Sequence, residues 1–162
     1  MSLSSEITSG GTKANKTGNA LEDFVEDILK RNGYAEISQD KVFATRQSIR
    51  GKQFAKQALC GKTIYDTQRK CDFLVMNQER FPEGLVIECK WQESKGSVDE
   101  KYPFLMLNIM KTGVPTVILI DGDGYKKQAF DWLKSQASPE LALRGVYTMK
   151  EFQKLVNNGF LG

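Results

Sequence analysis

The chain has 162 residues, 40% of them hydrophobic and 27% charged, an ordinary globular balance that favours one domain with a real core. The net charge is only +3, yet Lys41 to Lys70 holds eight basic residues against a single acid, Asp66, so the rest of the chain is net acidic and the basic block points to a polyanionic partner. Histidine is absent and Cys60, Cys71 and Cys89 form no CxxC pair, which argues against a structural zinc site and removes the commonest general base. No apolar run approaches the length of a membrane span, so a cytoplasmic chain with no membrane partner is expected.

Residues 1–16 are rich in Ser, Gly, Thr and Lys without apolar periodicity, and read as a disordered tail ahead of a single domain over 17–162. From Asn19, Leu21, Phe24, Val25, Ile28 and Leu29 recur at helical spacing, and Gly33 supplies a stop. Ala35 to Ser38 and Lys41 to Thr45 read as short extended segments. Arg46 to Lys62 is basic and Gln-rich and fits no element. Thr63 to Tyr65 and Cys71 to Met76 read as strands around a turn at Asp66 to Arg69, and Leu85 to Trp91 as the next strand. Ser97-Val98-Asp99-Glu100 fits a capping box opening a helix to about Lys111, with Pro103 best tolerated if Asp99 is the cap. Pro115 to Asp121 is a buried strand, Gln128 to Ser135 a helix, Val146 to Thr148 a short strand and Lys150 to Asn157 a last helix. A mixed sheet flanked by helices, an α/β architecture, follows from this order.

Two of these strands carry charges out of pattern. Alternation puts Leu85, Ile87, Cys89 and Trp91 on one face of their strand, and Val86, Glu88, Lys90 and Gln92 on the other. Asp72 lies on the preceding apolar strand and comes beside Glu88 if the two strands pair. Clustered carboxylates repel, and burying them unpaired is costly. A divalent cation removes that cost: Mg²⁺ takes carboxylate oxygens, and a nearby lysine can hold an attacking water. The bland alternative is an ion pair of Lys90 with Asp72 or Glu88.

An Asp on one strand followed by Glu88-Cys89-Lys90 on the next, behind an acid-bearing helix, resembles the PD-(D/E)xK, or restriction-endonuclease-like, nuclease superfamily. The resemblance covers about Gly18 to Leu133 and implies an αβββαβ core; Cys71 stands where the family has proline. It implies that Asp72 and Glu88 coordinate Mg²⁺, with Mn²⁺ as a substitute, and that the Cys89 backbone carbonyl is a further ligand. Lys90 would then position the water. Glu22, on a helix resembling the family's first, would touch a second metal or its waters, with Asp23 and Glu26 as rival choices. Gln92 takes a supporting role. The implied activity is that of a metal-dependent endodeoxyribonuclease of restriction, repair or phage type. The alternatives are a catalytically inactive nucleic-acid-binding module of the same fold, or a domain whose charged strands only form salt bridges.

DNA is then the partner for the basic block, with phosphate contacts expected from Arg46, Arg50, Lys52, Lys56, Lys62, Arg69 and Lys70. Arg46 to Lys62 is the candidate insertion for specificity. Cutting both strands calls for two sites, so a homodimer is among the expectations. Gly61-Lys62-Thr63 lacks the glycine of a phosphate-binding loop, since position 56 is lysine. Asp121-Gly122-Asp123-Gly124 lacks the remaining ligands of a calcium loop and reads as a turn. Cys89 reads as a core thiol, and Trp91 and Trp132 as packing residues. Lys101 reads equally as a phosphate contact or a solvated lysine.

Overall fold

The structure, a computed structural model, describes residues 10–41, 51–94 and 97–162, and the side chains of these except at 10–19 and 97–98. Helix α1 (Gly10–Arg31) leads into strand β1 (Ala35–Glu36), then β2 (Lys52–Lys62), β3 (Gln68–Asn77) and β4 (Phe81–Trp91). A 3₁₀ turn (Ser97–Lys101), α2 (Tyr102–Thr112), β5 (Thr116–Asp121), α3 (Lys127–Ser135), β6 (Leu143–Tyr147) and α4 (Met149–Asn157) complete the chain. The six strands form one sheet in chain order. β2, β3 and β4 run antiparallel as a meander, while β1 joins β2, β5 joins β4 and β6 joins β5 in parallel. Parallel steps need crossovers, and α2 and α3 supply those from β4 to β5 and from β5 to β6.

Each face of the sheet is packed. Leu21, Val25, Ile28 and Leu29 of α1 and Phe152 and Val156 of α4 cover one face, over Phe73, Val75, Leu85, Ile87, Val117 and Leu119. The α1 residues are those of the helical stripe read from sequence, and burying each contributes about 1.5–3 kcal/mol. On the other face, Tyr102 and Ile109 of α2 and Phe130 and Leu133 of α3 pack over Ile118 and Ile120. β5 therefore sends alternate residues into two cores, as an inner strand must.

The structure departs from the sequence reading at several elements. α1 begins at Gly10, inside the segment read as a tail; helix propagation from an anchored stripe needs only backbone bonds. Lys41, read as the start of an extended segment, is helical together with Gln39 and Asp40, and the rest of that segment to Thr45 lies outside the described residues. Lys52–Lys62, read as unassigned and as an insertion, is an inner strand. Its pattern was masked because Gln57 has a positive φ of 51°, so the chain switches faces there: Phe54 packs on the α1 side, whereas Ala58 and Cys60 pack on the opposite side. Thr63 to Tyr65 belongs to the turn between β2 and β3, closed by the Thr63 amide on the Thr67 carbonyl. α2 opens at Tyr102 with Lys101 as its cap residue, so Pro103 falls in the first turn, where its missing N–H is harmless. Asp99 pairs with Lys126 at 3.1 Å instead of capping. A true capping box opens α4, between Thr148 and Glu151. Trp91 packs against the α1-side core as expected, but Trp132 is exposed.

Candidate active site

β3 and β4 pair from Asn77 and Phe81 as far as Phe73 and Ile87, where their ladder ends. β4 continues to Trp91 along β5, so the two strands part while β4 stays fixed on its other side. Asp72 occupies the fork. Its Oδ2 accepts the Cys89 amide at 2.7 Å, taking the place a backbone carbonyl would have had. On the β2 side, the amide of Gln57 reaches Asp72 Oδ1 at 3.5 Å, from the residue whose positive φ bends that strand. A carboxylate is thus held in the sheet where β3 and β4 part, beside the positive-φ residue of β2.

Glu88, next along β4, is 3% exposed. Its Oε1 accepts from Arg69 Nη2 at 2.5 Å, and its Oε2 lies 3.6 Å from Lys90 Nζ. Lys90 Nζ is also 4.0 Å from Asp72 Oδ2, so one ammonium stands between two carboxylates, and about a third of its side chain is open to solvent. Burial pushes the Glu88 carboxyl up to about 7; Lys90 and Arg69 pull against this and the Asp72 charge adds to it. Arg69 itself is 6% exposed and gives its second nitrogen to Cys60 Sγ at 3.0 Å.

The remaining predicted residues divide. Glu22 is half-buried on α1, and its carboxyl is raised first by burial and then by the Asp72 charge, which places it within electrostatic reach of the fork. Its rival Glu26 is committed to Lys30 and Lys56 at 2.5 Å each, and Asp23 is exposed. Gln92 is 2% exposed; its side chain accepts from the Tyr102 hydroxyl at 3.1 Å and reaches toward the Ser94 carbonyl. Its backbone is clamped by the loop after β5: Gly124 N–H donates to the Gln92 carbonyl at 2.8 Å, and a Cβ on Gly122 (φ 108°) would lie 2.2 Å from that oxygen. The Asp121 to Gly124 stretch thus closes over the end of β4. Burial raises the Cys89 thiol well above its ordinary value, which makes it inert, in keeping with a core thiol.

Among the basic residues, Lys62 and Lys70 are exposed. Lys52 Nζ is held by the carbonyls of Gly162 and Asn32, and Lys56 by Glu26. Arg69 lies inside the molecule rather than on the surface, and Arg46 and Arg50 fall outside the described residues. The contact of Arg69 with Glu88 was missed from sequence. Its signal was parity: Arg69 and the buried Cys71 share a face once β3 is extended back to Gln68.

A family model described as a PD-(D/E)XK nuclease superfamily domain matches residues 13–160. The chain belongs to that superfamily. No curated protein and no solved structure matches it. The mixed six-stranded sheet with helices on both faces is consistent with the restriction-endonuclease-like fold. Membership suggests nuclease activity, that of a phosphodiester hydrolase, and superfamily nucleases generally use divalent metals. The donor set of this domain suits such an ion, since Asp72 and Glu88 offer hard oxygens beside the Cys89 carbonyl. Among the described residues, no three His, Cys, Asp or Glu side chains stand close enough together to form a complete cage. Also among them, no helix is long and apolar enough to cross a membrane.

Proposed function

We propose that this domain is a Mg²⁺-dependent endonuclease that hydrolyses DNA phosphodiester bonds. The observation that carries the reading is the meeting of Asp72, Glu88 and Lys90 at the point where β3 and β4 part. Asp72 and Glu88, with the Cys89 carbonyl, would hold the ion, and Glu22 would bind its waters from α1. When bound, a divalent cation polarises the scissile phosphate and stabilises the leaving oxygen. Lys90 orients the attacking water from between the two carboxylates, its Nζ being the most solvent-open of the three groups. The Asp72 bond to the Cys89 amide fixes the distance between the strands, and Gln92, held by Tyr102, fixes the end of β4. Lys62 and Lys70 are free to meet phosphates on the hairpin that leaves the site. The products would carry 5′-phosphate and 3′-hydroxyl ends.

Supercoiled plasmid incubated with the full chain tests this. Nicking or linearisation with Mg²⁺ that stops with EDTA is the expected result; intact plasmid with Mg²⁺ and with Mn²⁺ overturns it. One observation favours a second reading, an inactive nucleic-acid-binding module: Glu88 is already neutralised inside the protein by Arg69. A gel shift of DNA without cutting in either metal would select that reading.

A further inference from the structure

The buried pair of Arg69 and Glu88 is the shortest ionic contact of the site and its least exposed: 2.5 Å, with side chains 6% and 4% open. The guanidinium is a fork, and both tines are used, Nη2 on Glu88 Oε1 and Nη1 on Cys60 Sγ. Cys60 sits in a small apolar cluster with Ala58, Cys71, Leu74 and Val86, so the fork is anchored in packed structure. With Oε1 taken, Glu88 has one oxygen left, and that oxygen faces Lys90 and, beyond it, Asp72. Lys90, at 3.6 and 4.0 Å and partly solvated, is the yielding partner in this arrangement; Arg69 is the fixed one.

We propose that Arg69 is a positioning residue of the metal site: it holds Glu88 Oε1 inside the sheet so that Oε2 alone is presented, beside Asp72, to a divalent cation. This rests on the reading of Asp72 and Glu88 as the ion's ligands. Arg69 then belongs to the architecture of the site and not to the DNA-facing surface, although it lies in the basic block. It also keeps the buried Glu88 paired when no ion is bound. Partners that orient a ligating carboxylate govern affinity for the ion as well as its geometry, and their loss weakens binding by about 10–100-fold.

The test is titration of the full chain with Mn²⁺ alone, followed by calorimetry and by the electron paramagnetic resonance of free ion, without DNA. R69K keeps the buried charge but has one donor point in place of a fork. We expect R69K to bind Mn²⁺ about 10-fold more weakly than the unaltered chain, with an unchanged circular dichroism spectrum, and R69M to bind it more weakly still. Charge balance alone predicts unchanged binding for R69K and tighter binding for R69M. If R69K matches the unaltered chain, the proposal is overturned, whether or not R69M folds. Plasmid cleavage separates this failure from failure of the functional reading. Cleavage by the unaltered chain with R69K binding normally sinks only the positioning role, whereas neither binding nor cleavage by the unaltered chain sinks both.

Discussion

β3 and β4 make one hairpin with two unlike halves. Near the turn, Phe73 to Val75 pairs with Leu85 to Ile87, and both faces are covered by apolar side chains. Beyond Phe73 and Ile87 the ladder stops, and the same strands carry Arg69, Asp72, Glu88 and Lys90. The first half is joined by backbone bonds and packing; in the second, β3 keeps its ladder to β2 and β4 its ladder to β5, and the two are linked by charge–charge and side-chain–backbone bonds. Buried ion pairs contribute little net stability, because desolvation offsets attraction. On the proposed reading the charged half serves for what it presents, and the ladders on either side supply the rigidity.

If that division is right, substitutions in the two halves fail differently. Lys90→Ala should lower plasmid cleavage by about 10²–10⁴-fold, the range for a group that positions or moves a proton in the transition state, with thermal melting little changed. Phe73→Ala, at the last ladder pair, should do the reverse. It empties part of a fully buried site and should cost about 3–5 kcal/mol in urea unfolding, with cleavage lost only as the unfolded fraction grows. A Lys90→Ala protein that melts far below the unaltered chain would erase the distinction between the halves.

The halves should also differ in their response to pH. Burial raises the folded Glu88 carboxyl from the ordinary 4.5 to about 7, so between these values the folded chain keeps a proton that the unfolded chain has released. The stability this proton provides is complete below about pH 4.5 and is lost as pH rises through about 7. The loss approaches about 3 kcal/mol. Cleavage needs the ionised carboxylate, and a bound cation favours that form, so cleavage should rise at a lower pH than the metal-free stability falls. Urea midpoints from pH 4 to 8 measure the first slope, and Glu88→Gln should flatten it; a slope unchanged in Glu88→Gln would assign it to another group.

How much of this was legible in the sequence follows from the same contrast. Asp72, Glu88 and Lys90 stood out because a charge inside an apolar alternation violates the strand's own pattern. The α1 stripe and the buried β5 were legible because their periods are unbroken. β2 was not, because Gln57 at positive φ moves its apolar residues from one face to the other, and no period survives such a switch. Arg69 was misread as a surface residue since its partner lies on another strand and its neighbours in sequence are basic. The start of α2 was drawn too early because Asp99, fit for a cap by type, is taken by Lys126. Local pattern thus marked the charged cluster, while the partners of each charge came only with the tertiary fold.

The last comparison isolates burial from charge. Lys56 lies on β2 opposite Phe73, and its Nζ meets Glu26 of α1 at 2.5 Å, the same length as the contact between Arg69 and Glu88. Its bonds to Lys30 and Lys56 hold the Glu26 carboxyl below its ordinary value, so the pair is formed and ionised at neutral pH. The Lys56 side chain is 36% exposed, however, and water and salt screen the attraction. Lys56→Met should therefore lower the free energy of urea unfolding by about 0.5 kcal/mol, and by less in high salt, with cleavage unchanged if Lys56 touches no phosphate. Removing one partner from a buried pair typically costs about 3–5 kcal/mol. If Lys56→Met destabilised the chain that much, ion pairing anywhere on this sheet would carry the fold, and the charged end of β3 and β4 would have no special standing.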